Sequence, residues 1–273
     1  MPAFRAVFSP LSARVPAVLA GSVLAWAAVA APPAFAPFAV TEPARVAAVL
    51  DGDTLRLEDG RRVRLIGINA PELRDGAGRA EPGAAAARRF AGRFLGGSRV
   101  LLAIGEARHD RYGRTLAHVW RADHASLEAA LLAAGLARHV VVSPDLGQID
   151  CLRANERHAR AAGAGLWGSG EFAPRAVAAL RPGENGFRLL RGRVSAVSRS
   201  GSSWWVEIED RVALRVARAD QGRFRFDALQ RLGGREVEFR GWLVWRERHE
   251  GVARGHPPWS MALRHPASLE SAD

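Results

Sequence analysis

Two successive sets of short alternating runs, each broken by a helical segment, predict a mainly β (α+β) chain: an OB-type five-stranded Greek-key barrel with three helices, followed by a second, smaller OB-like β-barrel. Three observations carry this. Five strand-like runs fall between residues 45 and 121. A stretch holding several glycines, Pro174 and Pro182 has little alternation over 168–185. Beyond it, the order three strands, a helix, two strands returns. With 48% apolar residues in 273, the chain can bury sizeable cores, which excludes a disordered protein.

In chain order, residues 45–50, 54–58 and 62–68 read as strands. The dipeptide Asp59-Gly60 joins the second to the third and is expected to supply the two positive φ values of a tight hairpin. Alanine-rich 81–95 reads as a helix, with Pro82 acceptable in its first turn. Strands follow at 99–104 and 115–121. Ser126 can cap a helix over 127–134 that Gly135 stops, and 149–162 reads as a third helix stopped by Gly163. In the second set the strands are 188–197, 204–209, 212–217, 235–245 and 260–264, with a short helix at 226–232. Trp204 and Trp205 face opposite sides of one strand, so one of them could be exposed to stack a base; packing within the domain is the equal alternative.

The first forty residues have the layout of a targeting segment: Arg5 and Arg14, an uncharged apolar run, then small residues. A secretory signal over 1–36 fits, with an uncleaved N-terminal anchor as the competing reading. Either way the protein is expected to be exported, periplasmic or secreted, with no stable membrane association if the signal is cleaved. The domain plan is then a first domain at 42–168, a linker at 169–185 and a C-terminal accessory domain at 186–273. A net charge of +11, dominated by arginine, makes polyanions the natural partners, although arginine for lysine is also a genome-wide bias. A single cysteine, Cys151, excludes an intrachain disulfide. The eight histidines show no paired ligand spacing.

One constellation carries chemistry. Asp51-Gly52-Asp53-Thr54 puts two carboxylates at a strand end, a self-repelling pair that calls for a cation or a basic group, although an Asp-Gly turn alone is ordinary. The next strand brings Arg64 and then Asn69-Ala70-Pro71-Glu72. Downstream, Asp110-Arg111-Tyr112-Gly113-Arg114 precedes another strand, and Gly135-Leu136-Ala137 follows the second helix.

This ordered set resembles the staphylococcal nuclease (thermonuclease) family over about residues 45–167. The resemblance implies an OB-type barrel with three helices and a calcium-dependent endonuclease acting on DNA and/or RNA, cutting the bond to the 5′ oxygen to leave a 3′-phosphate. It implies catalytic roles for Arg64 and Arg114, which hold the scissile phosphate, and for Glu72, which positions or deprotonates the attacking water. Arg111 and Tyr112 match residues that touch a flanking phosphate. Asp53 matches a metal ligand, Ala70 a ligand through its backbone carbonyl, and Asp51 an acid just outside the metal. Asn69 stands where the family usually has a second metal-binding aspartate. It keeps an oxygen but loses a charge, so a weaker calcium site is expected, with Asp51 stepping inward.

The alternative is a catalytically weak or inactive nucleic-acid-binding protein of the same fold. A cell-envelope adaptor is a third reading. No protein partner is expected.

Overall fold

The computed structural model describes residues 41–74, 78–97, 99–246 and 257–271. The leader expected over 1–36 lies outside them. Among the described residues no helix is long and apolar enough to cross a membrane.

The first half runs β1 (Glu42–Asp51), β2 (Thr54–Leu57), β3 (Arg62–Leu65), β4 (Ile68–Asn69), α1 (Ala84–Leu95), β5 (Arg99–His109), β6 (Thr115–Arg121), α2 (Leu127–Ala133), β7 (Arg138–His139) and α3 (Ile149–Ala161). Strands β1, β2, β3, β6 and β5 close in that order into a barrel, with β3 and β6 parallel and the other neighbours antiparallel. Its core includes Leu55, Leu65, Leu102 and Trp120. Helix α1 closes on it through Ala84, Ala87, Ala91 and Leu95, which recur at helical spacing on one face. Ser126 caps α2, its hydroxyl accepting from the Ala129 N–H at 3.2 Å.

The second half runs β8 (Arg175–Ala176), β9 (Gly186–Ser200), β10 (Ser203–Ile208), β11 (Val212–Val216), α4 (Phe226–Gln230), β12 (Glu236–Trp245), β13 (Trp259–Ala262) and β14 (Leu269–Ser271). Strands β9, β10, β11, β13 and β12 form a second ring, closed by the β12–β9 pairing, and β11 runs parallel to β13. In both barrels the first strand pairs with the second and the fourth, the third pairs in parallel with the fifth, and a helix follows the third. The chain is mainly β and holds two OB-type barrels of one topology.

Three local expectations change. The run 62–68 is not one strand: Gly67 has φ +80°, and a Cβ there would lie 2.4 Å from Leu152 Cδ1, so the chain turns and β4 pairs with β7 instead. In the β2–β3 hairpin only Gly60 has positive φ, not both Asp59 and Gly60. The Gly60 N–H bonds to Leu57 O and the Leu57 N–H to Arg61 O, a three-residue loop with its glycine in the left-handed position. Within 168–185, Phe172, Val177 and Leu180 are buried, and β8 adds to β9 in parallel. Part of this stretch is therefore packed against the second barrel, although its apolar residues are too few and irregular to show a period.

Helix α3 joins the halves. Arg160 makes a two-pronged contact with Glu238 of β12, at 2.6 and 2.7 Å. Arg153 pairs with Glu270 of β14, and Arg240 of β12, buried, pairs with buried Glu156 at 2.5 Å. Paired charge is the condition on which arginine and glutamate are tolerated in an interior.

Candidate active site

The register of the first barrel assembles the acids with one arginine. Asp51 at the end of β1 faces Thr54 of β2, and Thr54 faces Arg64 of β3. Between the two aspartates Gly52 is required by space: a Cβ would lie 2.7 Å from that of Ala87 on α1 and 2.8 Å from that of Ala70. The turn can therefore press against the helix and the loop leaving β4.

Asp53 is buried and heavily engaged. Its Oδ2 accepts from the Ala70 N–H at 2.7 Å and faces Arg64 Nη2 at 3.2 Å, while its Oδ1 accepts from the Thr54 hydroxyl at 3.1 Å. Asp51 Oδ1 accepts from the Leu73 N–H at 3.1 Å. Both aspartates thus hold the loop that carries Glu72. That loop is also tied to Glu81, whose carboxylate accepts from the Glu72 N–H at 3.0 Å.

Arg64 is fixed by several bonds. Its Nη1 donates to the carbonyls of Leu65 and Ile68 at 2.6 and 2.9 Å, and its Nη2 to Asn69 Oδ1 at 3.3 Å. Its charge is thereby preorganised beside the acids. The Glu72 carboxyl is raised above the ordinary carboxylate range, first by partial desolvation and then by repulsion from Asp53, Glu81 and Asp51, with Arg64 opposing. A raised acid is better suited to taking up a proton.

Arg64 Nη2 draws the Asn69 amide oxygen and the Asp53 carboxylate together, while Asp51 is engaged by the Leu73 N–H. Among the described residues no three His, Cys, Asp or Glu side chains are grouped to hold a metal.

Arg114, Arg111 and Tyr112 form a separate group, organised by Asp110. The Asp110 carboxylate accepts from the N–H groups of Tyr112 and Arg114, both at 2.9 Å, and from Arg114 Nε at 2.7 Å. Burial alone would raise the Asp110 pKa, but these bonds hold it below its ordinary value. Tyr112 is 67% exposed; its hydroxyl accepts from Arg111 Nη2 at 2.6 Å. Guanidinium groups of Arg111 and Arg114 lie 4.8 and 5.5 Å from its ring centre. Thr115, next to Arg114, pairs with Val63, next to Arg64, which brings this turn to the neighbouring strand of the barrel.

So the structure joins Asp51, Asp53, Arg64, Asn69, Ala70 and Glu72 in one network, with Arg111, Tyr112 and Arg114 one strand away. It also reveals residues that the motifs do not include. A cleft of about 310 Å³ is lined by Asn69 and Glu72 together with Arg138, Arg188 and Trp242. Arg138 pairs across from Asn69 through β4 and β7, and its guanidinium lies 4.8 and 4.9 Å from the ring centres of Phe172 and Phe187. Burial draws its pKa down to about 10, so it remains a cation at neutral pH. The only signal for it is its place immediately after Gly135-Leu136-Ala137. Neither Trp204 nor Trp205 is an exposed platform: both are half-buried, Trp204 packing on Phe226 at 5.1 Å.

Comparison with known proteins follows the same residues. The family described as "Staphylococcal nuclease homologue" matches residues 62–169. The thermonuclease of Staphylococcus intermedius is 39% identical over 100 residues, 36% of this chain and 59% of that protein. The thermonuclease of Staphylococcus hyicus is 31% identical over 126 residues, covering 45% of this chain and 74% of that protein. The second barrel lies beyond the family match.

Proposed function

Because this chain belongs to the staphylococcal nuclease family, we propose that it hydrolyses phosphodiester bonds of DNA and/or RNA, with calcium, outside the cytoplasm. The observation that carries this reading is the convergence of Glu72, its proton affinity raised, with Arg64 and the two aspartates of the 51–54 turn.

Glu72 takes the proton of an attacking water as the water oxygen bonds to phosphorus. The bond to the 5′ oxygen then breaks, that oxygen takes a proton from solvent, and a 3′-phosphate remains. Charge grows on the non-bridging oxygens during attack, and the guanidinium charges of Arg64 and Arg114, held in place by their bonds to the protein, meet it. Arg111 and Tyr112 hold the neighbouring phosphate. Asp53, Asp51, the Asn69 amide oxygen and the Ala70 carbonyl would hold the calcium ion. Its chemistry there is to supply a fixed positive charge against the phosphate. The Asn69 amide makes that site weaker than a set with a third carboxylate. Export is supported by the signal-like first forty residues.

Digestion of DNA and RNA in calcium buffer, with and without chelator, tests the reading. Glu72→Gln keeps the shape of the side chain and removes the proton acceptor, so turnover is expected to fall by about 100-fold or more. Undiminished cleavage by this variant would sink the assigned role. Salt-sensitive binding with no cleavage at any calcium concentration would favour the non-catalytic alternative.

A further inference from the structure

The second barrel reaches the cleft that holds Glu72. We propose that it completes the substrate site: the Trp242 indole stacks an unpaired base of the strand flanking the scissile phosphodiester, and Arg188 and Arg264 meet phosphates on its two sides. The substrate class is therefore single-stranded nucleic acid, or a strand locally unpaired. This proposal rests on the nuclease reading and goes beyond it, since it assigns a task to the C-terminal barrel.

Trp242 stands on the ridge between two cavities. On one side is the cleft of about 310 Å³ that contains Asn69, with Glu72 and Glu81 set against Arg138 and Arg188. On the other is a cavity of about 280 Å³ lined by Val141, Ser143 and Arg264. Phe187 and Trp242 line both. The indole is 48% exposed, and Phe187 meets it in a T-shaped contact, ring centres 5.4 Å apart, which steadies the ring without stacking on it. A half-exposed indole contributes less to folding than a buried one, so its place beside a catalytic carboxylate needs another reason. An aromatic face held rigidly with arginines beside it is a recurrent way of binding single strands. The rigidity comes from β12 itself, where Arg240 and Glu238, a few residues before Trp242, are both ion-paired to α3.

Of the flanking cations, Arg188 is partly engaged, its Nη1 donating to the Phe187 carbonyl at 2.8 Å. Arg188 Nε is 3.9 Å from Glu184, whose carboxylate is already engaged by both terminal nitrogens of Arg175. Arg264 is exposed and has no ion pair among the described residues. A duplex keeps its base faces stacked on one another, so it cannot use Trp242 unless a strand opens.

The test uses the full chain and a fluorescein-labelled single-stranded 12-mer of DNA, beside a duplex of the same length, in chelator. By fluorescence anisotropy Trp242→Ala is expected to weaken single-strand binding about tenfold, with Trp242→Phe restoring most of it and duplex affinity little changed. Arg264→Ala should lower the slope of log affinity against log salt by about 0.7. In calcium, Trp242→Ala should raise KM for the 12-mer about tenfold with a smaller change in kcat, and a dinucleotide should not show the rise. Wild-type single-strand affinity in Trp242→Ala, or an equal loss for duplex, overturns the proposal. If the wild-type chain binds through Trp242 but never cleaves, the platform stands and the nuclease reading falls. If it cleaves and Trp242→Ala leaves KM for the 12-mer unchanged, the platform falls and the nuclease reading stands.

Discussion

Asn69 stands where the resemblance to the family implies a second metal-binding aspartate, and its surroundings bear on what the amide does there. Its amide oxygen accepts from Arg64 Nη2, which also faces Asp53. A carboxylate in its place would add a charge to a donor set now holding only two, and Arg64 would neutralise part of it. Asn69→Asp is therefore expected to lower the calcium concentration for half-maximal cleavage by about tenfold, since calcium affinity follows the charge count of the ligands. A calcium titration of both proteins decides this, and an unchanged midpoint would contradict the account of position 69. The acid turn, Arg64 and Glu72 were legible in the sequence because one pair of hairpin-linked strands and its exit loop carry them all. Arg138 and Trp242 were not. The first reaches the cleft through the non-local β4–β7 pairing, and the second arrives on the second barrel.

At the scale of elements, the break between β3 and β4 positions the exit loop. Gly67 makes it in a left-handed conformation, with Leu152 of α3 packed against its open side. Gly67→Ala meets both obstacles, the positive φ and a Leu152 methyl at 2.4 Å, and is expected to destabilise the protein by about 1–3 kcal/mol. Urea midpoints measure this. An unchanged midpoint would mean that the turn is not confined as described. One strand was expected over 62–68 because apolar residues continue through Ile66 and Ile68; the adjacent buried pair Leu65-Ile66 shifts the alternation, and nothing in the local pattern shows that Leu152 will occupy the space beside Gly67. Both barrels were legible for the opposite reason, because their strands are long enough to show a period of two and glycine, proline or capping residues bound them. The stretch 168–185 showed no period, although its few apolar residues are buried.

At the scale of the whole molecule, the two barrels meet around a histidine with no polar partner for its ring. His139 is fully buried in β7; its backbone N–H donates to Glu156 Oε1 at 2.8 Å and its carbonyl accepts from Arg240 at 3.3 Å. Neither ring nitrogen has a hydrogen-bond partner among the described residues. Burial draws its pKa well below the ordinary 6.5, and repulsion from Arg240, Arg153 and His265 adds to this. The folded protein therefore keeps the ring neutral, whereas the unfolded chain binds a proton as the pH drops below about 6.5. The contribution to stability is complete above that pH and is lost below it, at about 1.4 kcal/mol per pH unit, until the folded-state pKa is reached. His139→Phe keeps a ring of similar size and has no proton to bind. Its stability relative to the natural protein should rise as the pH falls below about 6.5, by up to about 1.4 kcal/mol per unit, while His265 and the carboxylates, common to both, cancel. Denaturant unfolding at pH 8, 6 and 5 gives the three differences. A constant difference would show that His139 takes up its proton inside the folded protein, and that the interface between the barrels is wetter than its burial indicates.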